Sequence, residues 1–88
     1  MTDSDWIRSF NDKSLYTGTG TIRSEREIQS TSIGGVCQFR AIGGAYGAML
    51  RNDGADTYIL LTNAWDQYGY WNGLRPFRIN NGSGRVYI

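Results

Sequence analysis

Eighty-eight residues leave room for one domain. A formal net charge of +1 argues against a general nucleic-acid or membrane-surface binder, and no apolar run approaches the roughly 18 residues of a membrane-spanning helix. One cysteine and no histidine leave neither an internal disulfide nor a workable zinc ligand set, so no metal and no cofactor is expected. No signal-peptide pattern opens the chain, which leads to the expectation of synthesis in the cytosol.

In chain order, residues 6–10 alternate apolar and polar side chains from Trp6 and read as a short strand, followed by a turn at Asn11, Asp12 and Lys13. Residues 14–17 read as a second short strand, ended by Gly18-Thr19-Gly20, and residues 21–24 follow with a reduced echo of the Ile-Arg-Ser at 7–9, too short to be a repeat. Residues 24–30 hold helix-favouring Glu25, Arg26, Glu27 and Gln29, but a helix this short is marginal. A turn leading into a strand at 27–30 is expected there. Residues 36–42 place Cys37, Phe39 and Ala41 on one face of a strand, broken by Gly43-Gly44, with Ala45 opening the next. The small residues Ala45, Gly47 and Ala48 leave room for a neighbouring backbone. Asn52-Asp53-Gly54 is a turn signal, and residues 57–62 form the most hydrophobic strand, expected to be buried on both faces.

The last third, residues 69–88, reads as a hairpin. Leu74, Phe77 and Ile79 lie in one run, Val86 and Ile88 in the other, with Asn81-Gly82 supplying positive φ at the turn. Pro76 cannot donate to a ladder and belongs at a strand start or on an edge. Arg75, Arg78 and Arg85 are expected on its exposed side. Short strands separated by frequent turn signals specify an all-β protein of antiparallel strands and hairpins. They do not choose between a sandwich, a barrel and an intertwined oligomer.

Two stretches carry a resemblance. MTDSDWIRSFNDKSLYTGTGTIRSEREIQ looks like a repeat pattern of an aspartate, a Trp-Ile-Arg triplet and a Tyr-Thr-Gly turn. AYGAMLRNDGADTYILLTNAWDQYGYWNGLRPFRINNGSGRVYI is similar to segments with an Arg-Asn-Asp-Gly turn, a Leu-Leu-Thr strand and an Asn-Gly-Leu-Arg-Pro-Phe to Gly-Arg-Val hairpin. Together they resemble the tail fibres of tailed bacteriophages, including prophage side-tail-fibre proteins. The resemblance implies a single all-β segment over residues 1–88, with a shaft-like half at 1–33 and a distal hairpin module at 34–88. It also implies an intertwined, elongated homotrimer belonging to a longer fibre, placed in the virion's tail and acting at the bacterial cell surface. The His-X-His iron-binding motif of some long fibres is absent from this sequence, and no metal is carried over.

Trp65, Asp66, Gln67, Tyr68, Tyr70, Trp71 and Asn72 form the candidate receptor-binding loop. Flat aromatic faces stack on pyranose rings, while Asp, Gln and Asn exchange hydrogen bonds with hydroxyls. Gly69 is expected to act as a hinge that turns neighbouring rings to different sides. Against this stands burial of the same rings in an inter-chain core or under the closing hairpin. The arginines suit phosphate or carboxylate groups, or else a solvated strand face or ion pairs with Asp53, Asp56 or Asp66 of a neighbouring chain. Those three aspartates are the candidate acid/base groups for glycoside cleavage, although Asp53 and Asp56 flank a turn glycine for ordinary turn reasons. The reading that results is non-catalytic: a segment binding bacterial surface glycan or, next, outer-membrane protein. A purely structural shaft segment and a monomeric nucleic-acid module are the alternatives.

Overall fold

The computed structural model describes residues 9–32 and 35–88. Five strands, β1 (Phe39–Gly43), β2 (Tyr46–Asn52), β3 (Asp56–Leu61), β4 (Phe77–Asn80) and β5 (Val86–Tyr87), form one antiparallel sheet in chain order. The all-β expectation holds. Each short connection is set by local chemistry. Gly43 pairs with Tyr46 across a two-residue turn whose first central residue, Gly44, has φ 59°, the signature of a type II′ hairpin. Ala45 therefore belongs to the turn rather than to β2.

Between β2 and β3, Gly54 takes φ 97° while side chains hold the turn's amides. Asn52 Oδ1 accepts from the Gly54 N–H, and Asp53 Oδ1 accepts from the N–H groups of Ala55 and Asp56 at 3.0 and 2.8 Å. The β4–β5 turn departs from the Asn-Gly reading. Positive φ falls on Gly84 (73°), not on Asn81 or Gly82. The Gly84 N–H reaches back to the Asn80 carbonyl at 2.8 Å, and Asn80 N–H donates to the Arg85 carbonyl at 2.9 Å, so the loop holds residues 81–84. Asn80 Oδ1 takes the Ser83 N–H at 2.9 Å, making the Asn a side-chain brace for a wider turn.

Register assigns the two faces, because directly paired antiparallel residues point the same way. On one face Arg40, Met49 and Leu60 line up across three strands, and Arg51, Tyr58, Arg78 and Tyr87 across four. On the other, Phe39, Leu50, Ile59 and Phe77 form one row, and Thr57, Ile79 and Val86 another. Met49 and Leu60 are the fully buried apolar side chains among the described residues, joined by buried Thr62. They lie beneath the segment 62–76, which folds back over the first face. Gly47 makes this approach possible, since a Cβ there would run into the Gln67 carbonyl oxygen. The room expected from the small residues of β2 is used here.

Three expectations are corrected. The strand at 57–62 is not buried on both faces: Leu60 is sealed, whereas Ile59, pointing the other way, is exposed. The strand expected from 36 starts at Phe39, because Arg51 Nη1 draws the Gly35 and Val36 carbonyls out of the ladder at 2.7 and 2.9 Å. Residues 14–17 and 27–30 form no strand; the whole of 9–32 is exposed, with a 3-10 turn at Phe10–Asp12. Their β-branched and aromatic residues have strand propensity, but a strand exists only with a ladder partner, and none is present among the described residues. Of the strand expected at 6–10, residues 6–8 lie outside the described residues.

The Gly47 contact gives a direct check. Gly47→Ala is expected to lower stability by about 1–3 kcal/mol through steric conflict with the loop. Gly73→Ala, where an added Cβ meets nothing, should leave the urea midpoint unchanged or slightly raised. Equal effects of the two substitutions would dismiss the close-packing role of Gly47.

Candidate functional site

The segment 62–76 is fixed to the sheet by backbone hydrogen bonds at both ends. Thr62 N–H donates to the Gly47 carbonyl at 3.0 Å, while Gly47 N–H donates to Thr62 Oγ1 at 2.9 Å. Trp65 N–H reaches the Ala45 carbonyl at 2.8 Å, and Asn72 N–H returns to the Leu61 carbonyl at 2.8 Å. Two tight turns follow one another between these anchors, closed by Asp66 N–H to Asn63 O and Gly69 N–H to Asp66 O. Arg40 Nη1 then crosses from β1 and donates to the carbonyls of Gln67 (2.9 Å) and Gly69 (2.8 Å). A charged donor shared by two carbonyls makes a stronger bond than a neutral pair.

Beside this clamp lies a ladder of guanidinium groups and rings. Arg51 sits over Trp71 at 4.7 Å, Arg75 over Tyr58 at 5.2 Å and near Trp71 at 6.0 Å. Arg78 sits over Tyr87 at 4.1 Å, and Arg85 approaches the same ring at 5.5 Å. Each such contact contributes on the order of 0.5–1 kcal/mol at exposed sites. Asp56 anchors the lower edge: it accepts from Tyr58 Oη at 3.2 Å and Asn80 Nδ2 at 3.3 Å, and lies 3.7 Å from Arg78. Burial, followed by the negative charge of Asp56, raises the Tyr58 phenol above its ordinary value of 10.0. The N–H of Asp56 and then that of Ala55 hold the Asp53 carboxyl below its ordinary 3.8.

The seven residues picked from the sequence divide into two groups. Trp65, Tyr68 and Tyr70 stand out to solvent at 82%, 77% and 70% exposure, together with exposed Asp66. Gln67, Trp71 and Asn72 are half-buried. Gln67 gives its carbonyl to Arg40, Trp71 lies under Arg51 and edge-on to Tyr70 (6.0 Å, 72°), and Asn72 Oδ1 takes the Leu74 N–H. Trp65 holds φ 65°, a left-handed conformation rare for a bulky residue, imposed by its bond to Ala45. Gly69 lacks the positive φ that would mark it as a hinge; a Cβ there would meet the carboxylate of exposed Asp66, which would have to turn aside.

Arg40, Arg51 and Thr62, which hold the loop, were not singled out from the sequence. Their signal was arginine on a strand otherwise filled by small and apolar residues, where a guanidinium stays only if something receives its hydrogen bonds. The aspartates considered for glycoside cleavage are occupied differently: Asp53 holds a turn, Asp56 holds Tyr58 and Asn80, and Asp66 is exposed.

Two expected outcomes test this geometry. Arg40→Met should loosen the loop by about 1.5–3 kcal/mol, seen as faster hydrogen exchange at 65–70 with the β2–β3 ladder still protected. Unchanged exchange at 65–70 would remove Arg40 as the clamp. Asp53 stabilises the fold in its ionised form, so its contribution is present above pH 3.8 and is lost as pH falls through the lower folded value. The urea midpoint should therefore drop below about pH 4, and Asp53→Asn, which cannot titrate, should flatten that part of the profile.

The sequence comparisons agree with one another. The family model described as long-tail fibre proximal subunit, C-terminal, trimerization domain matches residues 4–79. The chain is 60% identical over 50 residues to the long-tail fibre proximal subunit of Enterobacteria phage T4, covering 57% of this chain and 4% of that protein. It is 48% identical over 60 residues to tail fibre protein S of Escherichia phage Mu, covering 68% of this chain and 11% of the relative. It is 51% identical over 49 residues to long tail fibre protein Gp37 of Enterobacteria phage T2, covering 49% of this chain and 4% of the relative. The chain thus spans about a tenth or less of the length of these curated relatives. With a family match across most of its residues and an all-β meander to carry it, this chain belongs to the C-terminal trimerization domain family of phage long-tail-fibre proximal subunits.

Proposed function

We propose that this chain is a trimer-forming segment of a phage tail fibre, a mechanical and adhesive element with no catalytic role. The carrying observation is the conjunction of a trimerization-domain match over residues 4–79 with a sheet that seals only Met49 and Leu60 as large apolar residues. So small a core falls short of the apolar burial that stabilises an isolated domain, and association with copies of itself supplies more. Light scattering on a size-exclusion column is expected to give a native mass of three chains. A stable, folded monomer overturns the reading.

A second, finer function has its own support. Trp65, Tyr68 and Tyr70 are displayed on a loop held by Arg40 and by backbone bonds, so their rings are offered to a partner at low ordering cost. Rings of this kind, beside Asp66, suit the apolar faces and hydroxyls of bacterial surface glycan, with outer-membrane protein loops as the next candidate. Three loops per trimer add weak contacts into avidity. The nucleic-acid reading draws no support from the arginines, since Arg75, Arg78 and Arg85 place their guanidinium planes on Tyr58, Trp71 and Tyr87 of the same chain.

The triple variant Trp65→Ser/Tyr68→Ser/Tyr70→Ser is expected to keep the trimeric mass and to lose at least about tenfold in adsorption to host cells. Full adsorption by this variant would remove the loop as the contact surface and leave the shaft reading.

A further inference from the structure

The sheet is covered on one face only. The row Phe39, Leu50, Ile59 and Phe77, with Ile79 and Val86 beside it, faces away from the segment 62–76, and Phe39 is 63% exposed. A second uncovered apolar set lies in the extended stretch before the sheet: Leu15, Tyr16 and Ile22 are exposed to 82%, 89% and 63%, and Ile28 is exposed as well. The end of that stretch meets its own sheet face, where Ile28 and Ser30 line a groove of about 570 Å³ with Phe39, Leu50 and Thr57.

We infer that residues 14–22 of one chain, leading away from Ile28 in its own groove, lie as a strap across the Phe39–Leu50–Ile59 face of a second copy. The inference rests on the trimeric reading and names the surfaces that make the trimer. Three observations carry it. The arginine face already has its cover, so the apolar face is the one that remains. The two uncovered sets are chemically alike, with aliphatic and aromatic side chains on both. Finally, the lengths fit: at about 3.3 Å per residue, residues 14–28 reach roughly 50 Å, whereas five strands spaced at about 4.8 Å are only about 20 Å across.

The stretch is therefore long enough to cross its own groove at Ile28 and lie over the sheet of a neighbour. The exposed parts of these side chains amount to on the order of 1,000 Å² per chain, divided between two interfaces, so they supply about 500 Å² of the roughly 800 Å² that each partner contributes to a stable interface. In a closed ring of three, each chain gives one strap and receives one, and no apolar face is left over.

Photo-cross-linking of the full chain tests this directly. Benzoylphenylalanine replaces Tyr16, an aromatic for an aromatic, in isotope-labelled chains that are assembled with unlabelled ones. Expected are heavy-to-light cross-links that fragmentation localises to Phe39, Leu50 or Ile59. In a protein of trimeric mass, links confined to one chain, or reaching residues 63–72 of the neighbour, overturn the strap and leave the trimer standing. A monomeric wild type removes the trimeric reading itself, and the strap with it.

A second variant, Leu15→Asp/Ile22→Asp, alters side chains that are exposed in the single chain. It is expected to cut the trimeric fraction at least tenfold while circular dichroism still reports the sheet. A full trimeric fraction in that variant contradicts the inference.

Discussion

Everything in this small molecule depends on a sheet being roofed by its own chain on one side. Met49 and Leu60 are sealed because the segment 62–76 is drawn down onto them, and what draws it is backbone chemistry more than apolar area. Arg40 crosses to two carbonyls of the loop, and Thr62 exchanges hydrogen bonds with Gly47 at the loop's root. Arg51 does similar work twice over, holding the Gly35 and Val36 carbonyls while covering Trp71. Polar side chains thus build the arginine face, and they leave the apolar side chains of the opposite face for something else to cover.

That division explains how an aromatic loop can be both anchored and displayed. Trp71 and Gln67 turn inward and tie the loop to the sheet, whereas Trp65, Tyr68 and Tyr70 turn outward. The inward ring is covered by cations of its own chain, whereas the outward rings stay exposed, Tyr70 keeping an edge contact with Trp71. In the proposed trimer the strap would cover the apolar sheet face, and the loop stands on the opposite face of the same sheet.

Much of the sheet was legible in the sequence because its signals are local. Gly43-Gly44 and Asn52-Asp53-Gly54 mark the first two turns, and Pro76 stands just ahead of β4. What was not legible depended on partners distant in sequence. Residues 14–17 and 27–30 carry strand-forming side chains with no strand to pair with among the described residues, and alternation alone does not reveal that. The apolar run at 57–62 suggested burial on both faces, but burial depends on what lies above each face; only the Leu60 side has a cover. Of the loop, composition marked a cluster of rings and not how they divide. It could not separate Trp65 from Trp71, because the difference lies in Arg51, some twenty positions earlier in the chain.

The strand order has a consequence for how such a fibre is made. Every ladder in the sheet joins strands that are neighbours along the chain, so each hairpin can close without waiting for a distant segment. A nascent chain can therefore assemble its meander before it meets its companions. Long, identical polypeptides aligned side by side run the risk of pairing out of step, since any extended stretch can slide along its copy. In the proposed trimer one of the two pieces that meet, the sheet, has its register set by its own turns, and the other, the strap, is extended. Alignment among the chains would then be decided where the strap's apolar side chains find the fixed rows of the sheet, because one partner alone is free to slide.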